Sequence, residues 1–323
     1  MKINEATFKM LSRIGSRATF GMAAIELGSL VDDLIILTGD TSTSAGLQRF
    51  KSSFPDKFLD VGISEQNLIG VAAGLASEGF DVFTTTFAPF QTMRCCEQIR
   101  VNLGYMKHKV CMVGLASGLV LGTLGFTHCC IEDLSIMRSI PNITVLSPAD
   151  CLETAKATIA SIEHKNPIYI RLTGGSNQPM VYKKDYNFEI GKGIVLKDGN
   201  DIAIFATGTM VYESIEASNI LQTKGISAKI INMHTIKPFD AELVEKISKK
   251  VKLMITVEEH SIIGGLGTCV AEAKSKVKNS APHIAIGLPQ QFGKSEIYRD
   301  MLKSHNLTAP QIAQKILDEL NNV

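Results

Sequence analysis

Short unbroken apolar runs alternate along this chain with longer stretches in which apolar residues recur at helical spacing. The runs Leu34–Leu37, Val82–Thr86, Val110–Leu115, Ile143–Leu146 and Pro167–Leu172 predict buried strands in the first half. Ile202–Ala206, Ala228–Met233, Leu253–Val257 and His283–Gly287 predict them in the second. Between them, residues 1–31 read as an amphipathic helix ending near Gly28, Leu68, Val71, Ala72 and Leu75 mark another, and Arg94–Leu103 a third with Glu97 and Arg100 on its polar side. Asp150-Cys151-Leu152-Glu153 has the spacing of a capping box opening a helix through Ile162. Further helices are expected up to Gly225, after Asp240 and over Ala309–Leu320. Strand and helix alternate throughout, which predicts an α/β fold of two domains, each a mainly parallel sheet flanked by helices. Thr173 to Lys192, with glycines, a proline and many polar residues, is the best linker candidate. The expected division is 1–178, a linker at 179–193, and 194–323.

The stretch from Phe58 to Met93 is organised around a single glutamate. An apolar run ends in Gly62, a turn delivers Ile63-Ser64-Glu65, and the helix follows, so Glu65 sits at a strand-to-helix corner. Open α/β sheets bind ligands at such corners. Ser64 suits an N-cap, and the helix dipole favours an acid in the first turn, so Glu65 also has a purely local explanation. Gly70, Ala72, Ala73, Gly74, Ala76 and Ser77 make the helix surface small enough for close packing against another helix. So much apolar flanking sequence predicts a desolvated carboxyl suited to proton exchange near neutral pH. Phe87 and Phe90, three residues apart, are placed either for an aromatic shelf beside it or for the core.

Composition narrows the class. With 323 residues, 45% hydrophobic content and a formal net charge of +1, the chain is long enough for two cores and has no electrostatic footprint for nucleic acid or an anionic membrane. Its amino terminus lacks the apolar core of a signal peptide, and glycines interrupt the longest uncharged run, Val110–Phe126. Seven cysteines, an odd number without a C-x-x-C, point to a reducing, cytoplasmic setting. His128-Cys129-Cys130 has no second ligand cluster to make a metal site. Gly264-Gly265-Leu266-Gly267 lacks dinucleotide spacing and a Walker lysine, so it reads as a tight strand-to-helix turn.

Three blocks, DVGISEQNLIGVAAGLA, TTTFAPFQTMRCCEQIR and GFTHCCIEDLSIMRSIPNITVLSPAD, resemble the pyrimidine-binding half of transketolase in the form encoded as a separate carboxy-terminal subunit. The remainder resembles the transketolase carboxy-terminal domain, expected to be a packing and dimer element more than a catalytic one. The resemblance implies a two-carbon ketol transferase that uses thiamine diphosphate and Mg²⁺. Glu65 would hold ring nitrogen N1′ of the cofactor's aminopyrimidine, promoting the imino form that removes the thiazolium proton. Phe87 and Phe90 would pack on that ring, with Ile63 beside them and Met93 where many relatives have a third aromatic residue. His128 would face the reacting sugar and relay protons to its oxygens. Arg17 and Ser44 match positions that contact the substrate phosphate.

The chain departs from the family pattern at its substrate end. Thr123-Leu124 replaces an acidic residue, Ala116 a histidine of the donor site, and about Gly174 the arginine that binds the sugar phosphate. A sugar other than the ordinary pentose phosphate pair is therefore expected. The G-D-G…N signature that holds the diphosphate and Mg²⁺ is missing, Gly39-Asp40-Thr41 being the nearest match. This implies a separate amino-terminal subunit holding the diphosphate and the metal, two copies of each chain, and active sites at the interface. A deoxyxylulose-phosphate-synthase half, the β subunit of a 2-oxo-acid dehydrogenase and a non-catalytic partner subunit are the alternatives.

Overall fold

The computed structural model describes residues 5–321. Six parallel strands of the first half, β1 (Leu34–Thr38), β2 (Phe58–Asp60), β3 (Asp81–Phe87), β4 (Val110–Leu115), β5 (Thr144–Leu146) and β6 (Ile168–Arg171), lie in the order β5-β6-β4-β3-β1-β2. The second half adds β7 (Ile194–Lys197), β8 (Ile202–Ala206), β9 (Ala228–Asn232), β10 (Thr235–Lys237), β11 (Leu253–Ser261) and β12 (His283–Leu288). Five of these form a second sheet, β12-β11-β8-β9-β7, parallel except for β7. Helices flank both sheets, as the alternating pattern requires. β4, β5 and β8 are buried along their whole length, which is why they read as plain apolar runs.

The remaining strand crosses between the halves. β10 pairs antiparallel with β5, Thr235 opposite Leu146, and so becomes the edge of the first sheet although it follows residue 194. One hydrophobic cluster joins Leu68, Ile69, Met112 and Tyr169 to Phe205, Ile231 and Val270, so the sheets share a core. The stretch 179–193, expected as a linker, has no helix or strand but is strapped down. Tyr182 and Tyr186 stack at 3.9 Å, and both hydroxyls donate to Glu153 Oε1.

Three helical expectations need correction. The first helix, Glu5–Leu30, is kinked at Gly15 (φ 84°), where an added Cβ would meet the Gly175 carbonyl oxygen at 2.5 Å. Arg94–Leu103 is not one helix: Ala88–Thr92 and Cys96–Gln98 are separate short helices, and Ile99–Tyr105 is wound as a π-helix. In the capping box, Asp150 accepts from Glu153 N as expected, but the Glu153 carboxylate reaches past the cap to Ala149 N, and the helix ends at Ala160.

Candidate functional site

The chain leaves β1 toward β2 on one side and β3 toward β4 on the other, which opens a crevice at the carboxyl ends of β1 and β3. Asp60, at the end of β2, frames it by accepting from Asp40 N and Gly62 N, each at 3.0 Å. Gly62 takes φ 74°, a backbone that a side chain would strain, and delivers the chain to the helix Glu65–Ser77. Ser64 occupies the N-cap, but its hydroxyl turns back to the Val61 carbonyl instead of capping.

Glu65 is 4% exposed, so the expected desolvation is met. It also has a partner that sequence reasoning did not foresee. Arg94 Nη1 donates to Glu65 Oε2 at 2.7 Å, its guanidinium carbon lies 4.1 Å from the Phe90 ring centroid, and Gln66 Nε2 donates to the Arg94 carbonyl. The beginning of this helix and the turn after Ala88–Thr92 are thereby tied together. Burial, with the Glu65 charge adding to it, pushes the neighbouring Cys95 thiol up to about 12, so that cysteine is protonated and inert.

Phe87, Phe90 and His128 form one half-buried aromatic corner. The phenylalanines meet edge to face at 6.5 Å, and the imidazole lies 5.4 Å from Phe90 and 6.3 Å from Phe87. Thr127 Oγ1 is 3.0 Å from His128 Nδ1, which leaves Nε2 as the ring nitrogen for other contacts. Across the crevice, Thr86 Oγ1 is buried without a partner beside the space next to Gly39 and Glu65. The two rings stand perpendicular and so make no single shelf, and Arg94 lies on one of them. A buried carboxyl, an orphaned hydroxyl and an aromatic ring at the end of a sheet still have the chemistry to take a flat nitrogen heterocycle such as an aminopyrimidine.

Other expected residues lie around this corner or apart from it. Ile63 and Met93 are exposed, at 76% and 41%. Arg17 and Ser44 belong to a neighbouring seam, where Gly46 packs so closely that its Cβ would sit 3.1 Å from the Arg17 carbonyl oxygen. Burial lowers the pKa of Arg17. Gly174, expected at about the position of a phosphate-binding arginine, has φ 79°, a backbone conformation that a side chain would strain.

Two family profiles cover the chain. "Transketolase, pyrimidine binding domain" matches residues 12–178 and "Transketolase, C-terminal domain" matches residues 191–312. The chain belongs to the transketolase family. It is 39% identical to a putative transketolase C-terminal section from Methanocaldococcus jannaschii, over 95% of this chain and 96% of that one. One subunit of the apulose-4-phosphate transketolase of Phocaeicola vulgatus is 36% identical, over 86% of this chain and 88% of that protein. The 6-deoxy-6-sulfo-D-fructose transketolase subunit SqwH of Clostridium sp. is also 36% identical, over 92% of both. Among solved structures, a split-gene transketolase described as an inactive β4 tetramer superposes with a TM-score of 0.85 at 36% identity, over 95% of this chain and 98% of that one. These relatives consist of the same two units as this chain.

Proposed function

We propose that this chain is the β subunit of a thiamine-diphosphate-dependent transketolase that moves a two-carbon ketol unit from a ketose to an aldose and works only with a separate diphosphate-binding subunit, two copies of each. The observation that carries the reading is Glu65, a buried carboxyl at the crevice beside the edge-to-face pair Phe87 and Phe90. Glu65 would hold the pyrimidine nitrogen and Phe87 and Phe90 its ring, with Ile63 and Met93 at the rim. Bound thiamine diphosphate supplies the carbon nucleophile that accepts the two-carbon unit. Glu65 holds a proton at the ring nitrogen, and His128, through Nε2, moves protons at the oxygens of the sugar.

Partner dependence is supported by the missing diphosphate signature, by the exposure of Ile63 and Met93, and by the open space over Gly70 and Gly74 on the Glu65 helix. A solved split-gene transketolase described as an inactive β4 tetramer is in keeping with this. In the proposed assembly the partner covers this face and holds Mg²⁺. A cytoplasmic setting rests on the seven free cysteines; among the described residues no helix is long and apolar enough to cross a membrane.

Gly174, at a φ that disfavours a side chain, supports a sugar outside the ordinary pentose phosphate pair, as do relatives named for apulose 4-phosphate and 6-deoxy-6-sulfo-D-fructose. In this reading Arg17 and Ser44 bind the anionic end of the sugar. Calorimetric titration of thiamine diphosphate with Mg²⁺ into the chain alone and into its mixture with the partner tests the assembly. Binding in the mixture alone is expected, and no binding in either overturns the proposal. Ordinary transketolase rates with xylulose 5-phosphate and ribose 5-phosphate would overturn the substrate assignment only.

A further inference from the structure

His128 is carried by a loop that the second half of the chain holds in place. The loop leaves β4 at Ala116 (φ 52°) and is closed at its root by paired backbone bonds, Gly118 N to Cys130 O at 2.8 Å and Cys130 N to Gly118 O at 2.9 Å. At that root stands Glu259 from β11, 1% exposed. Its Oε1 accepts from Leu119 N at 2.6 Å, and its Oε2 accepts from Thr209 Oγ1 at 2.6 Å and Tyr298 Oη at 2.7 Å. Gly118 is so close that an added Cβ would lie 2.3 Å from Glu259 Oε1. The carboxylate is therefore a three-way clamp, one arm on the loop and two on separate elements of the second half.

The rest of the loop is cradled from the same side. Gly122 abuts the Glu296 carbonyl and the Met301 side chain, Gly125 (φ 75°) abuts Ser295 Oγ, and the Phe126 ring packs on Phe292 at 5.3 Å. His128 N donates to Gly125 O, and His128 lies two residues from the bridged Cys130. The bonds at Leu119 and across the Gly118–Cys130 bridge thus form one continuous path to the loop that carries the imidazole beside Phe90. A backbone N–H bonded to a buried carboxylate is a strong anchor, and leaving either group unpaired in the interior is costly.

We propose that Glu259 is a positioning residue for His128, so that the second half of the chain sets the geometry of the site instead of serving only for packing. The inference rests on the function proposed above for His128. It is tested with Glu259→Ala and Glu259→Gln in the full chain, free and assembled with the partner. Glutamine keeps an oxygen for Leu119 N and offers two N–H donors to hydroxyls that can turn to accept, so it is the conservative rescue.

Two readouts are needed. In the free chain, Glu259→Ala should speed amide exchange over residues 119–130 at least tenfold while the helix Glu65–Ser77 is unchanged. In the assembled enzyme it should lower kcat at least tenfold with cofactor affinity held within twofold, and Glu259→Gln should restore most of kcat. Unchanged loop exchange, exchange accelerated equally throughout the chain, or faster loop exchange with unchanged kcat each overturns the proposal. Should Glu259→Ala fail to fold, Tyr298→Phe removes one arm of the clamp without touching the loop, and the same two readouts decide. An assembled wild type without ketol transfer defeats the proposed function instead, and with it the catalytic part of this inference; the exchange readout then still decides whether Glu259 holds the loop.

Discussion

Arg94 makes two contacts at once, an ion pair with Glu65 at 2.7 Å and a face-on contact with Phe90 at 4.1 Å. The guanidinium thus occupies one oxygen of the carboxyl that the proposed function assigns to the pyrimidine nitrogen, and it covers one of the two rings. In the free chain it compensates a buried charge; in the assembled enzyme it has to yield or share that oxygen. Because Arg94 is 44% exposed, solvent weakens the pair, and Arg94→Met should cost the free chain only about 1 kcal/mol. Cofactor affinity in the assembled enzyme should be equal or tighter. Urea unfolding and calorimetry check both, and an affinity at least tenfold weaker would show instead that Arg94 contributes to binding.

Glu65→Gln keeps the shape of the corner and removes the proton that the proposed function has this carboxyl exchange. The loss of a positioned acid or base typically slows the reaction by roughly 10² to 10⁴, so ketol transfer should fall by at least about a hundredfold with the circular dichroism spectrum unchanged. Full activity in the assembled variant would revive the reading of a non-catalytic partner.

Beneath the site, Arg171 Nε donates to Asp133 Oδ2 at 2.8 Å, Tyr169 Oη donates to the same oxygen, and Arg171 Nη2 donates to the Glu259 carbonyl. Both charges of the pair are essentially out of water. Asp133→Ala strands the guanidinium and should destabilise the chain by about 3–5 kcal/mol, the usual cost of breaking a buried pair from one side. A loss below about 1 kcal/mol in chemical denaturation would mean that water reaches Arg171.

Glu258 and His260 are oppositely poised. Burial raises the Glu258 carboxyl to about 7 against the bonds it accepts from Gly267 N and Leu266 N, and burial lowers His260 to about 4. The folded Glu258 binds its proton more tightly than the unfolded one, so its contribution is present below about pH 4.5 and is lost as pH rises to about 7. His260 runs the other way: the unfolded imidazole takes up a proton the folded one refuses, so stability rises from about pH 4 to 6.5. The two slopes offset each other in the wild type. With one slope removed the other shows: the stability of His260→Asn should fall as pH rises from 4.5 to about 7, and that of Glu258→Gln should rise from about pH 4 to 6.5. Equal slopes in all three proteins, measured by urea titration across this range, would refute the assignment.

Whatever depends on neighbours along the chain can be read from the residues alone. The buried strands are legible because each satisfies its backbone in a sheet and needs only an apolar run. The Glu65 corner is legible because Gly62 must precede the turn and an apolar helix must follow it. Phe87 and Phe90, three apart at a strand end, announce a shared direction. Tertiary structure decided the contacts that span long sequence separations. Arg94 reaches Glu65 across 29 residues, and Glu259 reaches Leu119 across 140, distances over which spacing carries no pairing signal. β10 is three residues long, too short for a periodic pattern, and finds its place only because β5 leaves an open edge. At Gly15 a glycine permits the kink, but the close approach of Gly175 that requires it comes from far along the chain, and the π-winding of Ile99–Tyr105 has no periodic signature of its own. The candidate residues of the corner were thus readable one at a time, and the contacts that tie them to the rest of the chain were not.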